Sequence, residues 1–232
     1  MEDIVVFSGS AHRELAASIC RCARVDLSPV GISRFSNDCL QAQLLVNVRQ
    51  RDVYIVQPLV PPTQDHLMEL LLMVQAAKSA SAAQVTAVIP HYSYARSDKK
   101  DASRISVGGR LVADLLVTAG VDRVLTMQLH SPQVQAFFSV PVDQLTALGV
   151  LADHYRGGCE DAVVVSPDFG NAKSASNFAR LLGLPVAAGS KRRLGDDRVV
   201  IDMVVGDVEG RHCIVLAPSA SSSESSPPSS SR

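Results

Sequence analysis

The stretch from Val85 to Gly120, "VTAVIPHYSYARSDKKDASRISVGGRLVADLLVTAG", decides the fold. It opens with "VTAVIP", whose β-branched and apolar residues before Pro90 predict a strand. A charged block follows, and Ser106 then stands where a helix N-cap is expected. Beyond it, apolar residues recur at helical spacing as far as Gly120. A strand, a polar loop and an amphipathic helix in this order are the building unit of an α/β protein.

The same alternation continues on both sides of this stretch. The sequence predicts further strands at Ile4–Ser8, Asp52–Pro58, Arg123–Gln128, Ala162–Ser166, Val199–Val205 and His212–Ala217. It predicts further helices at about His12–Ala23, Asp65–Ala80 with Thr63 as N-cap, Gln144–Tyr155 and Asn171–Leu182. The expected fold class is therefore α/β, with a mainly parallel sheet flanked by helices.

The strand–loop–helix units restart near Pro141–Leu151, which favours a domain boundary there. We expect an N-terminal domain over residues 1–145, a shorter domain over 146–217, and a tail over 218–232. From Ser219 onward, nine of fourteen residues are Ser and no apolar residue is larger than Ala. Such a segment cannot bury enough surface to offset its ordering entropy, so we expect a disordered tail.

Composition excludes several classes of function. Aromatic residues make up 4% of the chain, Trp is absent and the formal net charge is −1, so no nucleic-acid partner is expected. The basic residues are concentrated at Arg96–Arg104 and Lys191–Arg193, which favours a small phosphorylated ligand. The longest apolar run, Leu67–Val74, contains Glu69 and is too short to cross a bilayer, so no membrane partner is expected.

The cysteines and the N-terminal residues indicate the compartment. The five Cys are scattered, without zinc spacing or a CxxC pair, which is typical of free thiols in a reducing environment. The first residues, "MEDIVVFSGS", are acidic and enter a strand at once, so we expect no signal peptide. A cytoplasmic protein is the resulting expectation.

Three polar segments follow predicted strands, at Tyr92–Asp101, Met127–Gln133 and Ser166–Ser174. In parallel α/β sheets, ligands bind at the carboxyl ends of the strands. Taken singly, each segment also fits a plainer interpretation: a solvated charged loop, a hydrogen-bonded structural His, and a turn in which Gly170 opens a helix.

Taken together, these and other segments resemble the ribose-phosphate pyrophosphokinase family. The resemblance runs in order from about Ile4 to Leu216 and is carried by "FSGSAHRELA", "RFSND", "DVYIVQP", "LMELLLMVQAAKSASA", "VTAVIPHYSYARSDKKDASR", "GGRLVADLL", "GVDRVLTMQLHSPQVQAFFSVPVDQL" and "VVVSPDFGNAKSA". It implies that residues 1–145 and 146–217 form two phosphoribosyltransferase-like domains, the second of them truncated.

The resemblance also implies a reaction and its ligands. The family's enzymes are transferases in which the anomeric hydroxyl of ribose 5-phosphate attacks the β-phosphorus of Mg-ATP. The products are AMP and phosphoribosyl pyrophosphate, which is used in nucleotide biosynthesis. Such a kinase reaction needs alignment of the substrates and cations where charge develops.

The resemblance assigns roles to individual residues. It implies that His130 and Asp168 bind Mg²⁺, with His130 also lying at the ATP site. Phe35 and Asn37 correspond to residues that recognise the base of ATP in a neighbouring subunit's site. Arg96 corresponds to a residue that binds the ATP phosphates, and Ser97 beside it also lies at the ATP site.

A basic pair further along the chain is the candidate for catalysis. "SKRR" resembles the family's Lys-x-Arg on a mobile loop, which would make Lys191 and Arg193 catalytic residues. The alternative interpretation is a solvated basic turn.

Four further positions match the family's subunit contacts and regulatory nucleotide or phosphate site: Arg49, Ser81, Gln135 and Asp143. From the residues alone, they are an ordinary strand-flanking Arg, a helix-end Ser, a surface Gln and a helix-capping Asp. Both interpretations stay open.

The chain departs from the family pattern at four places. Gln128 replaces an acidic residue next to the metal position, Ser97 replaces a Gln, and Cys39 replaces a Glu that contacts the base. The fourth is the segment after Leu216, where the family has an acidic, Gly/Thr-rich loop that holds ribose 5-phosphate through backbone N–H groups. Here a Ser-rich stretch stands at that place.

The function expected from the resemblance is ribose-phosphate diphosphokinase activity, weak or absent in this chain because the ribose 5-phosphate loop is missing. An alternative is a non-catalytic subunit that binds active synthetases. A third interpretation is an altered splice or reading-frame product. We expect a homo- or hetero-oligomer, and the apolar segments Leu67–Val74 and Ala136–Val142 are compatible with either interface or core.

Overall fold

The chain folds as two units, Met1–Thr146 and Ala147–Arg232. The computed structural model describes residues 3–159, 161–193 and 199–217. The α/β fold class, with mainly parallel sheets flanked by helices, is confirmed. The predicted tail, residues 218–232, lies outside the described residues. None of the helices in the described ranges is long and apolar enough to cross a membrane.

The first unit is built on a six-stranded sheet. In chain order its elements are β1 (Ile4–Ser8), α1 (Arg13–Ala23), β2 (Leu27–Ser28), β3 (Val30–Arg34), β4 (Leu40–Leu44), β5 (Asp52–Val56), α2 (Thr63–Ser79), β6 (Gln84–Ile89), α3 (Gly108–Ala119), β7 (Arg123–Met127) and β8 (Val142–Leu145). Two 3-10 turns, Ser93–Arg96 and Pro132–Phe137, follow β6 and β7. The strand order is β2-β1-β5-β6-β7-β8, and every pair is parallel.

The core of the first unit lies on both faces of this sheet, because successive strand residues point to opposite sides. On one face, Phe7 and Ile55 are fully buried in a cluster with Leu70 of α2 and Leu116 of α3. On the other face, strand residues such as Val6 pack with Ala16 and Cys20 of α1. The antiparallel hairpin β3–β4 stands apart from the sheet and packs against α2.

The second unit contains α4 (Leu148–Tyr155), β9 (Ala162–Ser166), α5 (Ala172–Leu182), β10 (Val186–Arg193), β11 (Val199–Val205) and β12 (His212–Val215), with a 3-10 turn at Phe169–Asn171. The strand order is β11-β10-β9-β12. Strand β9 is parallel to both of its neighbours, and β10 and β11 are antiparallel. The core packs Val164 against Ala152 of α4 and Ala175, Phe178 and Ala179 of α5.

Two predicted helix starts are wrong in detail. Thr63 is the first residue of α2, and Pro62, with an extended backbone and no side-chain cap, takes the N-cap position. Ser106 does not cap α3, because Val107 occupies the N-cap position and the Ser97 hydroxyl accepts the Gly108 N–H instead.

Three strand and helix predictions also need correction. The helix predicted from Gln144 begins at Leu148, because Val142–Leu145 pairs with β7 as the edge strand β8. The strand from His212 is an exposed edge strand rather than a buried one, with Val215 61% exposed. Strands β2, β3, β4 and β10 were not predicted, since each is short, polar or dependent on a distant partner.

Candidate active site

The carboxyl ends of the parallel strands gather the candidate residues of the first unit at one edge. Arg96 lies in the 3-10 turn after β6, and His130 follows β7. The hairpin tip with Phe35 and Asn37 belongs to the same edge, because Arg34 pairs with Asp65 in the first turn of α2. Since β5, β6 and β7 are parallel, their following loops emerge together.

The tip of the β3–β4 hairpin presents the two base-recognition candidates to solvent. Phe35 is 54% exposed although it is a large apolar residue. Asn37 is exposed, and its Oδ1 accepts the Cys39 N–H at 3.2 Å, which leaves its amide NH₂ without a partner in the described chain. An exposed aromatic ring beside an exposed amide can stack on and hydrogen-bond to a base.

Arg34 braces this tip, a role that the sequence did not reveal. Its guanidinium donates to Asp38 Oδ1 at 2.7 Å within the turn and to Asp65 Oδ2 at 2.8 Å on α2. These two hydrogen bonds raise the pKa of Arg34, which keeps it cationic. The hairpin tip is thereby tied to the helix that follows β5.

Arg96 and Ser97 differ sharply in what they contact. Arg96 is exposed and forms no ion pair within the described residues, so its cation is available to an anionic ligand. The Ser97 hydroxyl, in contrast, accepts the Gly108 N–H at 2.8 Å and donates to the Ser106 carbonyl at 3.3 Å. The Arg96 side chain is therefore open to a ligand, whereas the Ser97 hydroxyl is hydrogen-bonded to backbone groups at the start of α3.

His130 lies on an exposed loop after β7, and no hydrogen bond to its ring is found in the described part of the chain. Leu129 beside it is buried, which anchors the loop. Gln128 has a positive φ of 46° and its side chain accepts from the Thr146 hydroxyl at 3.1 Å. Gln128, which replaces the family's acidic residue, is therefore hydrogen-bonded to Thr146 of the same unit.

The second unit carries Asp168 at the carboxyl end of β9. Asp168 is half-buried, and its Oδ1 accepts the Asn171 N–H at 2.9 Å. Asn171 in turn donates its side-chain NH₂ to the Leu216 carbonyl at 2.7 Å, which ties this turn to the end of β12. Asp168 Oδ2 has no protein donor among the described residues and is available to a cation.

Lys191 and Arg193 lie in strand β10, not in the loop that the resemblance implied. They pair with Ile201 and Val199 of β11 across the antiparallel hairpin, with a register shift between Ser190 and Lys191. The reason is that backbone pairing to β11 continues β10 past the end of β9. Strand β10 as a whole contacts the 3-10 turn Phe169–Asn171 that follows β9.

A buried polar network, also not predicted, supports the loop after β1. The Glu69 carboxylate accepts the Ser10 N–H, the Ser10 hydroxyl at 2.7 Å and the Gln57 NH₂ at 3.0 Å. Gln57 is fully buried and Glu69 is 3% exposed. The sequence signal was an acidic residue inside the otherwise apolar run Leu67–Val74.

Two pockets lie in the described part of the chain near and away from the candidate residues. One of about 250 Å³ lies between the hairpin and α2, with Ser10, Arg34, Asp65 and Glu69 in its wall. Another, of about 340 Å³, is lined by Tyr155, Cys159 and Leu184. The latter lies at the amino end of β10, opposite the edge that carries Asp168, so it does not belong to the candidate site.

A divalent cation needs suitable ligand side chains from the protein. Within residues 3–159, 161–193 and 199–217, no group of three or more His, Cys, Asp or Glu side chains could hold a metal ion. Mg²⁺ does not need such a cage, because it keeps several waters and binds through one or two protein ligands together with substrate phosphates. In the second unit, the free oxygen of the Asp168 carboxylate is a donor of the kind that Mg²⁺ prefers. In the first unit, the exposed His130 imidazole is a less usual donor for this ion.

The fold and the polar edge define a class: α/β proteins with parallel sheets that take their ligands at the carboxyl ends of the strands. Comparison with known proteins narrows this class. Residues 4–120 match the model of the N-terminal domain of ribose phosphate pyrophosphokinase.

Whole-chain comparisons agree. A "Putative ribose-phosphate pyrophosphokinase" of Streptomyces coelicolor is 64% identical over 93% of this chain and 68% of its own length. A "Ribose-phosphate pyrophosphokinase" of Deinococcus radiodurans is 51% identical over 92% of this chain and 68% of its own. The crystal structure of phosphoribosylpyrophosphate synthetase from Mycobacterium smegmatis superposes with a TM-score of 0.82 at 39% identity, covering 92% of this chain and 70% of that one.

The chain therefore belongs to the ribose-phosphate pyrophosphokinase family, a family of transferases, and the resemblance seen in the sequence is confirmed. It spans about two thirds of the length of the relatives that it matches.

Proposed function

We propose that this chain binds Mg-ATP for the family's reaction, the transfer of a pyrophosphoryl group from ATP to ribose 5-phosphate. The observation that carries the proposal is the shared carboxyl edge of the first unit. There Arg96, which is exposed and makes no ion pair with any described residue, follows β6, and the exposed His130 follows the neighbouring strand β7. The hairpin tip with Phe35 and Asn37 is also exposed, where a neighbouring subunit can meet it.

Each side chain has a role suited to its surroundings. The Arg96 guanidinium offers planar donors to phosphate oxygens, and its exposure leaves it free to do so. Phe35 stacks on the base and the Asn37 amide binds its edge, in the site of a neighbouring subunit. Lys191 and Arg193 supply positive charge for the transferred group, and the described backbone pairing of β10 and β11 holds their segment.

His130 in the first unit and Asp168 in the second are each proposed, separately, as a ligand of Mg²⁺. When bound, Mg²⁺ neutralises charge on the phosphates and orients them. The chain's own contribution is positional: Asn171 holds one Asp168 oxygen and leaves the other free. In the loop after β7, the buried Leu129 holds His130 at the surface.

The ATP site is tested by calorimetry with Mg-ATP on the wild type and on His130→Ala. Loss of one charge-assisted contact costs about 1.5–3 kcal/mol, so we expect about 10- to 100-fold weaker binding. His212→Ala, which changes an exposed histidine at the amino end of β12, is the control and should bind as the wild type does. Equal affinity of His130→Ala and the wild type would remove His130 from the site.

We further propose that a polypeptide of these 232 residues releases AMP slowly or not at all when ribose 5-phosphate is added. After Leu216 its sequence reads "APSASSSESS", which offers no Gly/Thr-rich backbone nest for a phosphate. Positioning of that substrate can supply about 7–11 kcal/mol of barrier reduction.

The decisive measurement is AMP release that depends on ribose 5-phosphate. Joining a relative's segment after Leu216 should restore turnover, and deleting Ser219–Arg232 should change nothing. Turnover of the 232-residue chain near that of the longer relatives would refute the proposal. If both the 232-residue chain and the extended chain bind Mg-ATP without turnover, the result would favour the alternative function, a non-catalytic partner of active synthetases.

The cellular setting and assembly complete the proposal. The five cysteines are all free, which fits a reducing, cytoplasmic compartment. Homo- or hetero-oligomerisation is supported by exposed apolar side chains on α3, where Leu111 is 57% and Leu115 40% exposed. Leu67–Val74, in contrast, belongs mostly to the core of the first unit.

A further inference from the structure

The turn that carries Arg96 is fastened to the first residues of α3. The Ser97 hydroxyl accepts the Gly108 N–H at 2.8 Å and donates to the Ser106 carbonyl at 3.3 Å. The Ser97 carbonyl accepts the next amide, Gly109 N–H, at 3.0 Å. Two of the N–H groups at the start of α3 are therefore satisfied by one residue, the neighbour of Arg96.

The two glycines allow this close approach. A Cβ on Gly108 would lie 2.8 Å from Tyr94 Cδ1, and a Cβ on Gly109 would lie 2.9 Å from the Tyr94 carbonyl oxygen. Both glycines are buried, so the helix start and the 3-10 turn pack backbone against backbone. Any side chain at Gly109 would push the turn away from the helix.

Tyr92 also binds the start of α3. The buried Tyr92 hydroxyl donates to the Gly109 carbonyl at 2.9 Å. Burial, with a smaller effect of Asp114, raises the pKa of Tyr92, so the hydroxyl keeps its proton and remains a donor. The residues on both sides of Arg96 are thus held to α3, while Arg96 itself is exposed.

We propose that Ser97, seated on Gly108 and Gly109, is a positioning residue that holds Arg96 toward the ATP phosphates and does not contact ATP itself. The inference rests on the proposed function, in which Arg96 binds those phosphates. Its physical basis is that the Ser97 hydroxyl already donates its proton to one backbone carbonyl and accepts a hydrogen bond from one backbone N–H. A turn whose backbone is already held in one conformation loses less conformational entropy when its Arg binds the ligand.

The test is a double-mutant cycle of Arg96→Ala and Ser97→Ala, read by calorimetry with Mg-ATP. Ser97→Ala alone should weaken binding about three- to tenfold, as expected for the loss of one hydrogen bond. In the Arg96→Ala background, the same change should have no further effect, because Ser97 acts through Arg96. Ser103→Ala, in the exposed part of the same loop, is the control and should leave the affinity unchanged.

Hydrogen exchange provides a second readout, because it reports directly on the hydrogen bond between the Gly108 N–H and the Ser97 hydroxyl. Hydrogen exchange at the Gly108 amide should be faster in Ser97→Ala, since its acceptor is gone, and unchanged in Ser103→Ala. Equal weakening by Ser97→Ala in both backgrounds would show that Ser97 binds ATP directly and would overturn the inference. Unchanged exchange together with unchanged affinity would overturn it as well.

Failure of the proposed function gives a different result. If Arg96→Ala alone binds Mg-ATP as tightly as the wild type, Arg96 is not a phosphate contact, and the positioning role toward ATP falls with it. Faster exchange at Gly108 in Ser97→Ala would then still identify the contact as a structural one.

Discussion

At the scale of single residues, the buried Glu69 shows how one charged side chain organises a functional edge. It lies on α2 at 3% exposure, yet its carboxylate accepts three hydrogen bonds from Ser10 and Gln57. A buried charge is tolerated only when it is fully hydrogen-bonded. Glu69 thereby holds the loop after β1, next to the hairpin that carries Phe35.

Glu69→Ala should therefore destabilise the first unit strongly. It leaves the Ser10 N–H and the Gln57 amide without their acceptor, and we expect a loss of about 2–4 kcal/mol in the free energy of unfolding. Urea unfolding followed by tyrosine fluorescence measures it, because Tyr54, Tyr92 and Tyr94 lie in the first unit. Glu14→Ala, at an exposed position of α1, should cost less than about 1 kcal/mol. Equal effects of the two variants would contradict the structural role of the network.

At the scale of elements, the edge strand β8 is attached to β7 by backbone pairing and by one ion pair. Asp143 pairs with β7 as part of β8, so it does not cap a helix. Its carboxylate accepts a hydrogen bond from Arg123 Nε. The hydrogen bond from Arg123 lowers the pKa of Asp143, and partial desolvation opposes it only in part. Gln135 adds a second tie, donating to Gln144 of β8 at 2.8 Å.

This pair predicts a pH dependence of stability. Because the folded state lowers the pKa of Asp143, the pair stabilises the fold above the unfolded pKa of about 3.9 and loses its effect as the pH falls through the lower folded value. Asp143→Asn should be less stable than the wild type at neutral pH, and the difference should vanish in acid. Urea midpoints measured from neutral to acidic pH check this.

The matched background is Arg123→Gln. There, Asp143→Asn should no longer produce a pH-dependent difference, because the cation that lowers the pKa is absent. A difference between wild type and Asp143→Asn that stays constant into acid would contradict the assignment.

At the scale of the whole molecule, the exposed apolar side chains of α3 point to assembly. Leu111 is 57% exposed and Leu115 40%, although both follow the helical apolar pattern that the sequence showed. Apolar residues that recur on one helix face yet remain exposed mark a surface for association. The loop residue Ile105, 46% exposed, precedes the same helix.

We predict a mass above that of the monomer at micromolar concentration, measured by light scattering, and a lower mass for Leu111→Glu. A charge on this face would have to be buried in an interface, which is strongly unfavourable. Leu181→Glu, at an exposed leucine of α5, is the control and should leave the mass unchanged. A monomeric wild type at this concentration would refute the prediction.

How far the sequence led differs between the elements. The sequence predicts strands Ile4–Ser8, Ala162–Ser166 and Val199–Val205 to the residue, because runs of β-branched and apolar residues between turns carry a strong local signal. The β3–β4 hairpin does not show in the sequence pattern, because β4 packs on α2, far along the chain, and β3 pairs with β4. The sequence predicts a helix from Gln144, whereas Val142–Leu145 forms strand β8, because its pairing with β7 is a tertiary contact.

The sequence by itself determined the α/β fold class, the family and the polar segments that follow the strands, since these depend on local pattern and on residue identity. Only the tertiary structure decided how those side chains are placed. Arg96 makes no ion pair with the residues that the structure describes, Ser97 is hydrogen-bonded to the start of α3, and Lys191 and Arg193 lie in a strand. The physical reason is that hydrogen-bond partners, such as Glu69 for Ser10 or Asp65 for Arg34, are brought together by packing between residues distant in the chain.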